Sequence, residues 1–307
     1  MRIGVILPQL EIGSDPAAIR AYAETAAAVG FRHILAYDHV LGADPSHRPG
    51  WTGYTSASLF HEPFVLFGYL AAVVPEMELV TGVIILPQRQ TVLVAKQAAE
   101  VDLLTGGHFR LGIGVGWNRV EYEALGEDFT NRGRRSEEQI ALLRTLWTEP
   151  VVTFNGTYHQ VHAAGLNPLP VQRPIPIWLG GDSDAAMRRA GKLADGWIPH
   201  GRPDTALAAR INQVQDYAEA AGRVATSVQI EGRLSIAEMA ESDWREETER
   251  WRELGVSHLG INTMGAGLAS PSDHRRVLER FAALVPMVGS QSPIVSKSSS
   301  DSASEDR

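Results

Sequence analysis

Residues 78–118 limit the fold more than any other stretch of the chain. They read as strand, helix, strand. Residues 79–86 are apolar and β-branched, and residues 109–115 form a second short apolar run. Between them Val94, Ala98, Val101 and Leu104 recur at helical spacing, and Gly106-Gly107 stops that helix. Strands without polar alternation are covered on both faces. A parallel sheet built by right-handed crossovers meets that condition.

The same grammar repeats along the chain. Residues 3–7 form a strand that Pro8 closes, and Asp15-Pro16 opens a helix, with Asp as cap and Pro in the first turn. Ile19, Ala23, Ala26 and Ala27 face inward, and Gly30 ends the helix. Residues 31–37 are a strand leading into Asp38-His39, and residues 40–60 are a long segment rich in Gly, Pro, Ser and aromatics. Loops of that length inside a compact domain usually serve function. A helix over 62–74 precedes the strand–helix–strand unit, and residues 117–130 read as a loop before a helix ending near Trp147. Residues 151–174 suggest a small hairpin insertion turning at Asn155-Gly156. Further strands fall at 175–179, 196–198, within 227–236 and at 257–261. Asp182 or Ser183 caps the helix after the first of these, and Asp243 and Glu246 have capping-box spacing.

Eight strands alternating with helices predict a closed α/β barrel, a (β/α)8 TIM barrel, as one domain over 1–287. A doubly wound open sheet is the alternative. Residues 288–307 are mostly Ser, Asp and Lys and are expected to be a disordered tail. No apolar run approaches the ~20 residues of a membrane helix, and Met1-Arg2 leads straight into a strand without a signal peptide. The absence of cysteine excludes disulfides, thiolate metal sites and cysteine nucleophiles. A formal charge of −8 without a basic cluster argues against nucleic acid as a partner. The expectation is a cytoplasmic protein that binds neither membrane nor nucleic acid.

Barrel chemistry sits at the C-terminal ends of the strands. Here those ends carry Pro8-Gln9, Asp38-His39, Gly82-Val83, Gly116-Trp117, Gly180-Gly181, residues 197–200 (including Trp197 and His200) and Asn262. Gly180-Gly181-Asp182-Ser183 follows a strand and opens a helix, which fits either a phosphate cradle or a ligand-free tight turn. Residues 112–116 spell G-x-G-x-G rather than the dinucleotide pattern G-x-G-x-x-G, and glycines that let a flat ring lie on the strand end are favoured over a Rossmann turn. Asp38-His39 is either an acid–base pair or a structural one, and Glu121 taken alone is a solvated loop acid. His159 and His162, three apart in a strand, point to opposite faces and do not form a metal pair.

Taken in order, these pieces resemble the luciferase-like monooxygenase superfamily, and within it the short coenzyme F-420-dependent oxidoreductases. The likeness rests on Asp38-His39, Thr81-Gly82-Val83, Gly114-Val115-Gly116-Trp117 with Glu121 and Ala124-Leu125-Gly126, Arg132, Leu146-Trp147, Pro176 through Gly181, and Ala194-Asp195-Gly196-Trp197. The resemblance implies a deazaflavin or flavin at the barrel mouth. Its ring would lie against a non-proline cis peptide that maps onto Gly82-Val83, and its phosphate would lie at Gly180, Gly181, Asp182 and Ser183. It makes His39 the candidate for substrate protonation or for stabilising the reduced ring, with Asp38 positioning it, and places Asp38, His39, Gly116, Trp117 and Glu121 in the cofactor site. Trp51, Tyr54, Trp197 and His200 are expected to line a pocket for a small organic substrate. The sugar-phosphate dehydrogenase branch has Glu where this chain has Trp117, which argues for an aromatic wall instead. The implied activity is hydride transfer with coenzyme F-420. An FMN-dependent monooxygenase using reduced flavin and dioxygen is the alternative, and a metal-dependent hydrolase or a non-catalytic flavin-binding barrel are more distant rivals. Relatives often pair as homodimers, and apolar residues on the second to fourth helices could supply such a face.

Overall fold

A computed structural model describes residues 1–287; the serine-rich stretch expected to be disordered lies outside the described residues. In chain order the elements are β1 (Arg2–Ile6), α1 (Pro16–Ala28), β2 (His33–Ala36), α2 (Pro63–Val73), β3 (Glu78–Thr81), β4 (Ile84–Ile85), α3 (Thr91–Leu104), β5 (Phe109–Gly114), α4 (Arg119–Ala124), α5 (Arg132–Thr148), β6 (Val152–Asn155), β7 (Gln160–Ala164), β8 (Ile177–Gly180), α6 (Asp184–Leu193), β9 (Gly196–Ile198), α7 (Thr205–Ala220), β10 (Gln229–Ser235), α8 (Trp244–Glu253), β11 (His258–Asn262) and α9 (Pro271–Leu284).

The parallel strands run β3-β2-β1-β11-β10-β9-β8-β5-β4, and β3 also pairs with β5. The ring is therefore closed. β3 and β4 are two halves of one stave on β5: Leu79 and Val80 face Phe109 and Arg110, and Ile84 and Ile85 face Ile113 and Gly114. Counting them as one gives the eight staves of a (β/α)8 barrel. The single strand read over 79–86 is thus interrupted at Gly82-Val83, where the peptide bond is cis.

The apolar runs do what their lack of alternation requires. Ile3, Val5, Ile34, Leu79, Leu111, Ile113, Ile177 and Leu259 are buried, and the inner faces of the helices cover them. Helix starts follow their caps. The Asp15 side chain accepts from Ala17 N at 2.9 Å with Pro16 beside it, and Asp204 accepts from Leu207 N at 2.8 Å. Two local expectations fail. Asp243 makes no capping box, because a 3-10 turn over 241–243 already holds its backbone in the helical region, and an N-cap must be extended to reach forward. Residues 117–130 are not all loop, because Asn118 accepts from Val120 N at 3.0 Å and starts α4. β6 and β7 form a hairpin in which Asn155 pairs with Gln160, so that the connection spans residues 156–159.

The N-terminal floor of the barrel is polar. Glu231 on β10 is 1% exposed, pairs with His33 Nε2 at 2.8 Å and accepts from Arg110 Nη1 at 2.9 Å. Burial alone would raise its carboxyl, yet the charges of Arg110 and His33 hold it well below the usual carboxylate range. Burial, then the charge of Arg110, push His258 down to about 2, so this imidazole is neutral. The cavity described below lies at the other end of the barrel.

Candidate active site

The C-terminal mouth holds a cavity of about 640 Å³, and its walls come from the ends of staves all round the barrel. That volume lies within the range of small-molecule and cofactor sites.

His39 follows β2 and reaches this cavity with its side chain 12% exposed. Its Nδ1 lies 3.1 Å from Oε1 of Glu121. The same oxygen accepts from Val40 N at 2.8 Å, and Oε2 accepts from Gln88 Nε2 at 3.5 Å. Glu121 is 1% exposed and so is no solvated loop acid. Burial would raise its carboxyl, but the hydrogen bonds from His39, Val40 and Gln88 and the nearby imidazole keep it below the usual range. An ionised Glu121 assigns the proton to Nδ1 and leaves Nε2 unprotonated.

The role expected of Asp38 needs correcting. It is 3% exposed, but its Oδ1 accepts from Arg89 Nη2 at 2.7 Å and its Oδ2 from Ile85 N at 3.0 Å. Asp38 therefore ties the end of β2 to β4 and to the start of α3, and Glu121 is the carboxylate that orients His39.

Val83 protrudes where the stave breaks, and two neighbouring strands make room for it. A Cβ on Gly114 of β5 would lie 2.7 Å from Val83 Cγ2, and one on Gly180 of β8 would lie 3.0 Å from Val83 Cγ1. The glycines at these strand ends thus seat the valine, which faces the cavity with Gly82 and Gly116. Beyond β8, Gly181 takes φ +113, a conformation that disfavours any side chain. Its carbonyl accepts from Trp197 Nε1 at 2.9 Å, and Ser183 caps α6 through Ala186 N. Of the two cap candidates Ser183 is the one used. Asp182 turns to the rim, where it accepts from His200 Nδ1 at 2.6 Å and from Arg210 Nη1 at 2.7 Å. The N–H groups in the first turn of α6 lack intrahelical acceptors, so the turn can receive an anion.

The long segment after His39 folds back over it. The Tyr54 ring lies 4.5 Å from the imidazole, Phe60 4.8 Å and Trp117 6.3 Å. Trp117 is 52% exposed and stands as a wall at the mouth. Tyr54, Trp117 and His200 line the cavity, whereas Trp51, Trp197 and Asp182 do not. Trp51 packs behind Trp117 at 5.7 Å, and Trp197 is fully buried, its indole spent on Gly181. Sequence reasoning missed Tyr37, Arg233 and Met264, which form the inner wall. Arg233 had a signal: a cation near the C-terminal end of a barrel strand, two residues beyond Glu231.

Among the described residues no group of three or more His, Asp or Glu side chains could hold a metal ion. His159 is taken up by Glu138 at 2.8 Å and Thr91 at 2.7 Å, and among the described residues no helix is long and apolar enough to cross a membrane.

The profile of the luciferase-like monooxygenases matches residues 1–285. An uncharacterised protein of Mycobacterium tuberculosis is 38% identical over 164 residues, 53% of this chain and 56% of that protein. The chain thus spans little more than half the length of the first curated relatives it matches. The FMNH2-dependent dimethylsulfone monooxygenase of Pseudomonas putida is 29% identical over 226 residues, 69% of this chain and 60% of that enzyme. Among solved structures, an F-420-dependent secondary alcohol dehydrogenase in complex with an F-420–acetone adduct superposes with a TM-score of 0.75 at 18% identity, covering 94% of this chain and 99% of that one.

Proposed function

Because the chain belongs to the luciferase-like monooxygenase family, we propose that its cavity holds coenzyme F-420 and that the protein moves a hydride between that cofactor and a small organic substrate. One observation carries the reading. The Val83 seat, built by Gly114 and Gly180, opens into the same cavity as the His39–Glu121 pair. The fit to a tricyclic ring with a phosphorylated side chain is good. The cavity has the size, Val83 offers an apolar back wall, and the Gly180-Gly181 turn offers anion-binding N–H groups at the start of α6.

When bound, such a cofactor supplies the redox chemistry. The chain's own residues do the rest. Val83 and Gly116 would back the ring, and Gly181 and Ser183 would hold the phosphate. Tyr54, Phe60 and Trp117 keep water from His39, which strengthens the polar interactions left inside. Glu121 holds the proton on Nδ1, so Nε2 is free to take a proton from a substrate oxygen or return one. His200, oriented by Asp182, stands at the entrance.

A second reading, an FMN-dependent monooxygenase, is favoured by the named Pseudomonas putida relative. Anaerobic fluorescence titrations of the purified protein with F-420 and with FMN separate the two. Tight F-420 binding with weak FMN binding supports the first reading, and the reverse order turns the search to substrate-dependent oxygen uptake. If neither binds, the assignment of the cavity to a redox cofactor fails. The exposed Val65 and Tyr69 on α2, with Val92, Leu93 and Leu104 on α3, further support a homodimer formed across these helices. Sedimentation of wild type beside Val65→Glu/Leu93→Glu checks this, and a wild type that runs as a monomer removes it.

A further inference from the structure

The inner wall of the cavity carries a cation that no acid claims. Arg233 lies on β10 two residues beyond Glu231, so both side chains point into the barrel. Glu231 is spent on His33 and Arg110 below. The other carboxylates lining the cavity are engaged as well. Asp38 is held by Arg89, and Glu121 by His39 and Val40. Glu11 accepts from Gly265 N at 2.8 Å and lies 3.3 Å from His274 Nε2. Among the described residues Arg233 has neither a hydrogen bond nor an ion pair within the protein, and its one close partner is the Tyr37 ring, 5.3 Å from Cζ. The contact with that ring leaves the guanidinium N–H groups without a protein acceptor and open to a ligand.

We propose that Arg233 receives the carboxylate of the substrate, and that the enzyme acts on organic acids whose apolar body lies against Leu10 and Met264. This rests on the redox reading of the cavity and deepens it. A half-buried guanidinium in a largely apolar pocket stays costly until an anion reaches it, and its planar fork matches a carboxylate with two parallel hydrogen bonds. The cofactor's own anionic group is assigned elsewhere, to the turn after β8, and β9 separates that stave from β10. A substrate anchored at Arg233 crosses the cavity toward His39 and Val83, which share its walls.

Isothermal titration calorimetry with benzoate and hexanoate, each beside its amide, tests the assignment on the protein alone and on the cofactor-loaded protein. Wild type is expected to prefer at least one acid over its amide by about tenfold or more, the effect of a charge-assisted bidentate contact. Arg233→Met is expected to erase that preference while cofactor affinity stays within about twofold. Arg233→Gln, which keeps hydrogen-bonding capacity and drops the charge, gives the same reading should the Met variant lose its fold. Equal binding of acid and amide in wild type overturns the proposal. So does a preference that survives in both variants, or a loss of cofactor affinity in step with the substitution, which would give Arg233 to the cofactor. Failure of the cofactor titrations would remove the redox reading and leave the acid preference of the protein alone still measurable.

Discussion

Glu121→Gln asks whether the orientation of His39 depends on a carboxylate. In the native site Oε1 accepts from both Val40 N and His39 Nδ1, and Oε2 faces Gln88 Nε2. A glutamine can place its carbonyl oxygen where Oε1 lies, but its amide nitrogen then meets the Gln88 amide, donor against donor. The two retained bonds become neutral ones, each weaker by about 1 kcal/mol. The expected loss of stability is about 2 kcal/mol, read from urea denaturation at neutral pH. If the imidazole works as a proton carrier, the same loss lowers turnover by about 30-fold. Because the folded carboxyl is held below its unfolded value of 4.5, its contribution is complete above that pH and is lost as the pH falls through the folded value. The gap between wild type and variant should therefore be full at neutral pH and close in acid. Spectra of ¹⁵N-histidine-labelled protein report the tautomer: Nδ1–H in wild type and a mixture in the variant. A variant within about 0.5 kcal/mol of wild type that keeps the Nδ1–H tautomer would refute the role given to Glu121.

Other outcomes follow from the same geometry. His39→Ala should bind cofactor as wild type does and lose most turnover, and unchanged turnover removes His39 from the mechanism. Gly114→Ala puts a methyl 2.7 Å from Val83 Cγ2 and should weaken cofactor binding about tenfold or more at a stability cost of about 1–3 kcal/mol; an unchanged dissociation constant means Val83 is not the seat. Glu231→Gln leaves Arg110 with Glu78 as its remaining charged partner and removes the carboxylate that pairs with His33, and should cost about 2 kcal/mol. With the folded carboxyl depressed, that contribution is also present above 4.5 and lost below it, so a urea midpoint that does not move with the substitution would show the floor to be neutral in energy.

The barrel was legible because its strands are short, apolar and closed by Pro or Gly, and because caps such as Asp15-Pro16 act within a few residues. The break at Gly82-Val83 is invisible to periodicity, since residues 79–86 read as one apolar run, and it entered only through family resemblance. The signal for α4 was present: Asn118 and Glu121 have the spacing of a capping box. It was hidden because Glu121 gives its carboxylate to His39, 82 residues away, rather than to its own helix. Asp38 illustrates the opposite error. Adjacency in sequence suggested a pair with His39, but neighbouring residues at a strand end face opposite ways, and Asp38 meets Arg89, 51 residues on. Trp197 looked like a pocket wall because it lies at a strand end, and its indole instead closes the turn at Gly181.

The interrupted stave has a consequence for how such a protein can change. Val83 is gripped by β5 and β8, so three adjacent staves form one mechanical unit on a single arc of the circumference. Arg233, Met264, Leu10 and Tyr37 stand on the opposite arc, contributed by β10 and by the segments that follow β11, β1 and β2. A substitution on the second arc leaves the grip on Val83 intact. If the proposed sites hold, substrate preference can drift one residue at a time, whereas exchanging the ring proposed for the first arc requires concerted change in three strands.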